Sequence, residues 1–143
     1  MTDATPPGRA PVGPSPALSA SDVVLAQLDG LRQEPRQGDG AGPGLQVVWA
    51  FASPGNRAAT GPLNRFAGML RGEAYGGLLG HRAVQLGPLL ELGDEARQEV
   101  LVLTADDRTL GFTWVLGRQV GGEQHGCWLT DGVLRHPDAG GRS

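Results

Sequence analysis

Apolar side chains recur along this chain with two different periods, and the change comes near His81. Val24, Leu25, Leu28 and Leu31 fall at i, i+1, i+4 and i+7, one stripe of an amphipathic helix. Ser19-Ala20-Ser21-Asp22 has the S-x-x-D pattern that caps a helix start, and Pro35 predicts the stop. Leu63, Phe66, Ala67 and Leu70 repeat the helical spacing. Thr60-Gly61-Pro62 before them predicts Thr60 as cap with proline in the first turn, and Gly72 predicts the close. Leu45 to Ala52 fits both periods: Leu45, Val47, Trp49 and Phe51 alternate as in a strand, whereas Leu45, Val48, Trp49 and Ala52 suit a helix. Ser53-Pro54-Gly55 ends that segment in either case, and residues 73–80 read as a mobile apolar loop.

After His81 the pattern predicts strands. The first runs from Arg82 to Leu92, bent or bulged at Gly87-Pro88. A turn at Gly93-Asp94-Glu95 leads to a strand over Gln98–Thr104, and Asp106-Asp107-Arg108 turns the chain again. In Thr109–Val120, Leu110, Phe112, Trp114 and Leu116 share one face, with Thr113 and Val115 on the other. Gly121-Gly122 predicts a tight hairpin turn into a last strand over His125–Arg135. Helices followed by hairpin-linked strands imply an α+β fold with an antiparallel sheet.

Composition sharpens the boundaries. The chain has 143 residues, room for one domain, and its 24 Gly and 11 Pro come just short of the fraction that marks low complexity. Those in the first part cluster. Pro6, Pro7, Pro11, Pro14 and Pro16 predict a disordered tail over residues 1–20, and Gly38, Gly40, Gly42 and Gly44 a flexible connector. The connector is not a phosphate loop, because no strand precedes it and the chain has no lysine. The folded domain is expected over residues 21–137, with a flexible C-terminus at 138–143.

All 12 basic residues are arginines, dispersed singly among 15 acids for a net charge of −3. This argues against nucleic acid as a partner, since phosphate neutralisation needs clustered positive charge. No apolar run is long enough to span a membrane, and the first 20 residues do not read as a secretory signal, so the cytoplasm is the expected compartment. One cysteine, Cys127, rules out an internal disulfide and is expected as a buried inert thiol.

Candidate chemistry is sparse. Isomerase catalysis of the ketosteroid type needs a carboxylate base, a tyrosine and a buried protonated acid. Tyr75 is the one tyrosine, and Asp94, Glu95, Asp106, Asp107, Glu123 and Asp131 fall mostly in turns. His81 and His125 open strands and are expected at strand ends, while His136 precedes Pro137 near the exposed end. The histidines lack metal-ligand spacing, so no metal and no cofactor is expected.

Two stretches carry a family resemblance. Trp49-Ala50-Phe51-Ala52-Ser53-Pro54-Gly55 resembles the F-A-S-P-G motif of an uncharacterised domain family of bacteria and plants, and Gly126-Cys127-Trp128-Leu129-Thr130-Asp131-Gly132-Val133-Leu134 resembles its G-C-W-R-I-D-G-V ending. That family is similar to the nuclear transport factor 2-like (cystatin-like, ketosteroid isomerase-like) superfamily. The resemblance implies N-terminal helices packed on a curved antiparallel sheet, forming a cone with an apolar pocket. It places residues 45–52 on the second helix. Leu129-Thr130 stands where the family has Arg-Ile, which shifts the apolar position by one and implies that the last strand bulges or pairs differently.

With that fold, Trp49, Phe51, Phe66, Phe112, Trp114 and Trp128 either fill the cone or line a pocket, with Tyr75, His81 and Arg82 at its mouth. The implied function is a non-catalytic module that binds a small apolar ligand or docks a protein through its sheet. The alternative is a small isomerase or dehydratase acting on a hydrophobic substrate. Homodimerisation through the outer sheet face, with Leu101, Leu103, Thr113 and Val115, is also implied.

Overall fold

The structure is a computed structural model that describes residues 13–35, 38 and 40–137. Residues 1–12 of the expected tail, part of the glycine connector, and the expected flexible C-terminus at 138–143 lie outside the described residues.

Ser19 caps the first helix, α1 (Ala20–Gln33), in both directions: its hydroxyl accepts the Asp22 N–H at 3.1 Å, and the Asp22 carboxylate accepts the Ser19 N–H at 3.0 Å. The buried stripe is Val23, Val24, Leu28 and Leu31. Leu25, expected on it, is instead 44% exposed, because it sits about 100° around the helix from Val24. Residues 43–50 form α2 (Pro43–Ala50), which resolves the two periods in favour of a helix. α1 and α2 approach closely at Gly30 and Gly44, where a Cβ on Gly30 would come within 2.8 Å of the Gly44 carbonyl oxygen. The buried Glu34 carboxylate accepts the Gly44 N–H at 2.6 Å, and Arg71 lies 4.0 Å from its other oxygen while donating to the Gly40 carbonyl. This clasp ties the end of the connector to the helices.

Two helical assignments differ from the sequence reading. Ser53-Pro54-Gly55 ends α2 but also starts α3 (Pro54–Thr60): the Ser53 hydroxyl accepts the Asn56 N–H at 3.2 Å, and Pro54 fills the first-turn position. Thr60 therefore ends α3 rather than capping the next helix. α4 (Leu63–Leu70) starts from Pro62 without a side-chain cap. Within residues 73–80, Glu73 and Ala74 are exposed, but residues 76–79 are buried, with a 3₁₀ turn at Gly76–Leu78 and both Leu78 and Leu79 in the core.

The four strands β1 (Ala83–Leu92), β2 (Glu95–Leu103), β3 (Thr109–Arg118) and β4 (Trp128–Arg135) form an open antiparallel sheet in chain order. The β1 register breaks between Leu86 and Leu89. The buried Gln98 amide fills the break, donating to the Gly87 carbonyl at 2.8 Å while its oxygen accepts the Ser21 hydroxyl of α1 at 2.7 Å. A second break lies between Val115 and Leu116, opposite Gly132 and Thr130, so Asp131 is the extra residue of a bulge. The last strand starts at Trp128, not at His125. Gln119 and Cys127 pair across a longer loop, and His125 accepts the Gly121 N–H within it at 2.7 Å. On the inner face, Ala96, Val100, Val102, Leu110, Phe112, Trp114 and Leu116 meet the helices. No helix among the described residues is long and apolar enough to cross a membrane.

Candidate functional site

The two stretches that carry the family resemblance meet in space. Thr130 donates its N–H to the Phe51 carbonyl at 2.7 Å, and its own carbonyl accepts the Ser53 N–H at 2.9 Å and the Asn56 side-chain amide at 3.1 Å. Ala52 and Thr130 thus form a short parallel bridge that fixes the α2–α3 corner against β4. Beside this seam a cleft of about 280 Å³ opens between the helices and the sheet.

One wall of the cleft comes from α3 and α4, with Asn56, Ala59, Thr60, Phe66, Met69 and Leu70. The other is the β4 run from Thr130 to Val133. Its floor is Gln27 and Leu31 of α1 and Trp114 of β3, and Tyr75 and Leu78 close one side. The lining is largely apolar, and its polar groups are largely committed. Tyr75 donates its hydroxyl to the Val133 carbonyl at 2.8 Å, and the Thr60 hydroxyl donates to the Asn56 carbonyl at 2.7 Å. On the floor, the Trp114 indole N–H donates to Gln27 Oε1 at 3.3 Å, and Gln27 Nε2 donates to Thr130 Oγ1 at 2.8 Å and to the Val23 carbonyl at 3.3 Å. Asp131, the exposed bulge residue beside the cleft, carries its carboxylate over Gly117 on the outer face of the sheet.

Of the aromatic residues singled out from sequence, the structure brings Phe66, Tyr75 and Trp114 to this cleft. The others sit elsewhere. Phe51 and Phe112 are completely enclosed in the core, and Phe112 stacks on Tyr75 with ring centroids 6.4 Å apart. Trp49 packs against Phe66 from behind the wall, under the Arg57 guanidinium at 5.1 Å. Trp128 lies beneath Arg118, 5.3 Å from the ring centroid. Arg82 pairs with Asp107 in the β2–β3 turn region.

Sequence reasoning missed Gln27, Asn56, Thr60 and Thr130. Gln27 had a signal: it lies three residues after Val24 and four before Leu31, so it is a polar residue on the apolar stripe. Thr130 had a weaker one, because it occupies the position where the strand departs from the family motif. Asn56 and Thr60 required the unrecognised third helix.

His81 is not at the mouth of the cleft. It is buried beneath the helices, with Nδ1 2.8 Å from the Leu78 carbonyl oxygen. Burial pushes its pKa below the ordinary histidine value, partly offset by that hydrogen bond. The folded state therefore binds a proton on His81 less readily than the unfolded chain does, and acid favours unfolding. The stability from this site is present above the unfolded pKa and is lost as pH falls through the lowered folded value. We expect the urea midpoint to drop between about pH 7 and about pH 5, and His81→Gln to flatten part of that slope. An unchanged slope in the variant would show that His81 contributes nothing.

No family model matches the chain, and neither a curated protein nor a solved structure matches it.

Proposed function

We propose that the chain is a nuclear transport factor 2-like module that holds a small apolar molecule in the cleft between its helices and its sheet. The observation that carries this reading is the make-up of the cleft: an apolar lining over a floor whose polar atoms are mutually bonded. Such a lining favours binding by burial of apolar surface, with few polar contacts to set orientation. The acid-base groups are poorly placed for the enzymatic alternative. Asp131 carries its carboxylate over Gly117 on the outer sheet face, Tyr75 already donates to a carbonyl, and His81 and Cys127 are not among the lining residues. The order of helices before an antiparallel sheet, and the contact between the two motif stretches at Thr130, support the family placement.

Naphthalene serves as a minimal probe. Equilibrium dialysis is expected to show saturable binding of one equivalent per chain. Ala59→Trp, on the exposed wall of α3, is expected to fill the cleft and weaken that binding at least about ten-fold, with the melting temperature little changed. Absence of saturable binding, or a variant that binds as well as the original, would remove the reading.

The outer sheet face favours a second reading, self-association. Leu90 (56%), Leu92 (68%), Leu101 (48%) and Leu134 (52%) all leave large apolar surface exposed there. Light scattering at micromolar concentration should then return about twice the 14.9 kDa chain mass, and Leu92→Glu should return the monomer. A monomeric original protein would eliminate this second reading.

A further inference from the structure

The polar character of a ligand follows from the floor of the cleft, given that the cleft is an apolar ligand site. Trp114 Nε1 can only donate, so the Gln27 atom facing it is the oxygen, and the amide nitrogen must face Val23 and Thr130. Both amide hydrogens are then used. The Thr130 hydroxyl is fixed as an acceptor on the Gln27 side, and its own hydrogen has no acceptor among the described residues. The backbone of Thr130 is equally committed, to Phe51, Ser53 and Asn56. Thr130 is nearly buried, at 3% exposure, and lines the cleft, so a hydrogen bond made there by a ligand is sheltered from water.

Charge completes the picture. Among the described residues no arginine or histidine lines the cleft, and the one acid in its lining, Asp131, carries its carboxylate over Gly117 on the outer face of the sheet. A buried anion would find no countercharge in the lining. The volume of about 280 Å³ lies just below the roughly 300 Å³ at which pockets for drug-sized molecules begin.

We propose that the cleft selects a small uncharged molecule whose polar group is a hydrogen-bond-accepting oxygen, read by the Thr130 hydroxyl, and that it discriminates against carboxylates. Thr130 is thereby the specificity-determining residue, and Gln27 a positioning residue that acts through it.

Indanone, indane and indane carboxylate share one apolar frame and differ in these features. Calorimetric titration of the full chain is expected to show indanone binding about five-fold more tightly than indane, and the carboxylate at least about ten-fold more weakly than indanone. Thr130→Ser keeps the hydroxyl and should keep the preference for indanone. Thr130→Val should abolish that preference while still binding indane. Equal binding of indane and indanone by the original protein, or tightest binding of the carboxylate, overturns the proposal and leaves the apolar reading standing. Failure of all three to bind removes the apolar reading itself. The comparison on the original protein decides the matter even if Thr130→Val does not fold.

Discussion

An amide side chain enclosed between a helix and a sheet has to find partners for an oxygen and two hydrogens, because a buried polar atom left unpaired costs about 1–3 kcal/mol. Gln27 is such a side chain, completely buried on the apolar stripe of α1. It meets the requirement by joining three elements: its own helix at Val23, β3 at Trp114 and β4 at Thr130. Close packing already resists sliding of α1 over the sheet, and the Ser21–Gln98 bond ties the helix start to β2. Directional bonds from Gln27 to two adjacent strands add to these constraints and fix the floor of the cleft.

Thr130 connects this constraint to the helical corner on the other side. Its side chain bonds Gln27, its backbone bonds Phe51 and Ser53, and the next residue, Asp131, is the bulge that bends β4. The α2–α3 corner, the bulged strand and the first helix thus converge on one threonine. Gln27, Asn56 and Thr130 also line the adjoining cleft, so local folding requirements and the chemistry offered to a ligand share these residues.

Much of this architecture could be read from residue spacing. The capping box at Ser19, the alternation through β3 and the irregularity at Gly87-Pro88 are local features, set by neighbours in sequence, and each has its counterpart in the fold. The misses have local causes too. Ser53-Pro54 is both a stop and a start, so its helix-initiating half was hidden by its helix-ending half. The loop before Trp128 hides its length because two glycines resemble a tight turn. The site was less legible than the fold. Large aromatic residues were the natural candidates for a pocket wall, yet Phe51 and Phe112 are taken up by the core, and smaller residues such as Ala59 and Thr130 shape the opening. Which side of a sheet corner closes and which stays open depends on contacts between residues about a hundred positions apart, and periodicity carries no record of them.

The central claim is that the Gln27 amide couples α1 to the sheet. A double-mutant cycle between Gln27→Leu and Trp114→Phe, followed by urea denaturation, addresses it directly. The account predicts that Gln27→Leu alone costs about 1–3 kcal/mol, and that the double variant loses less than the sum of the single losses by at least about 0.5 kcal/mol. Strict additivity, or a Gln27→Leu protein as stable as the original, would contradict it.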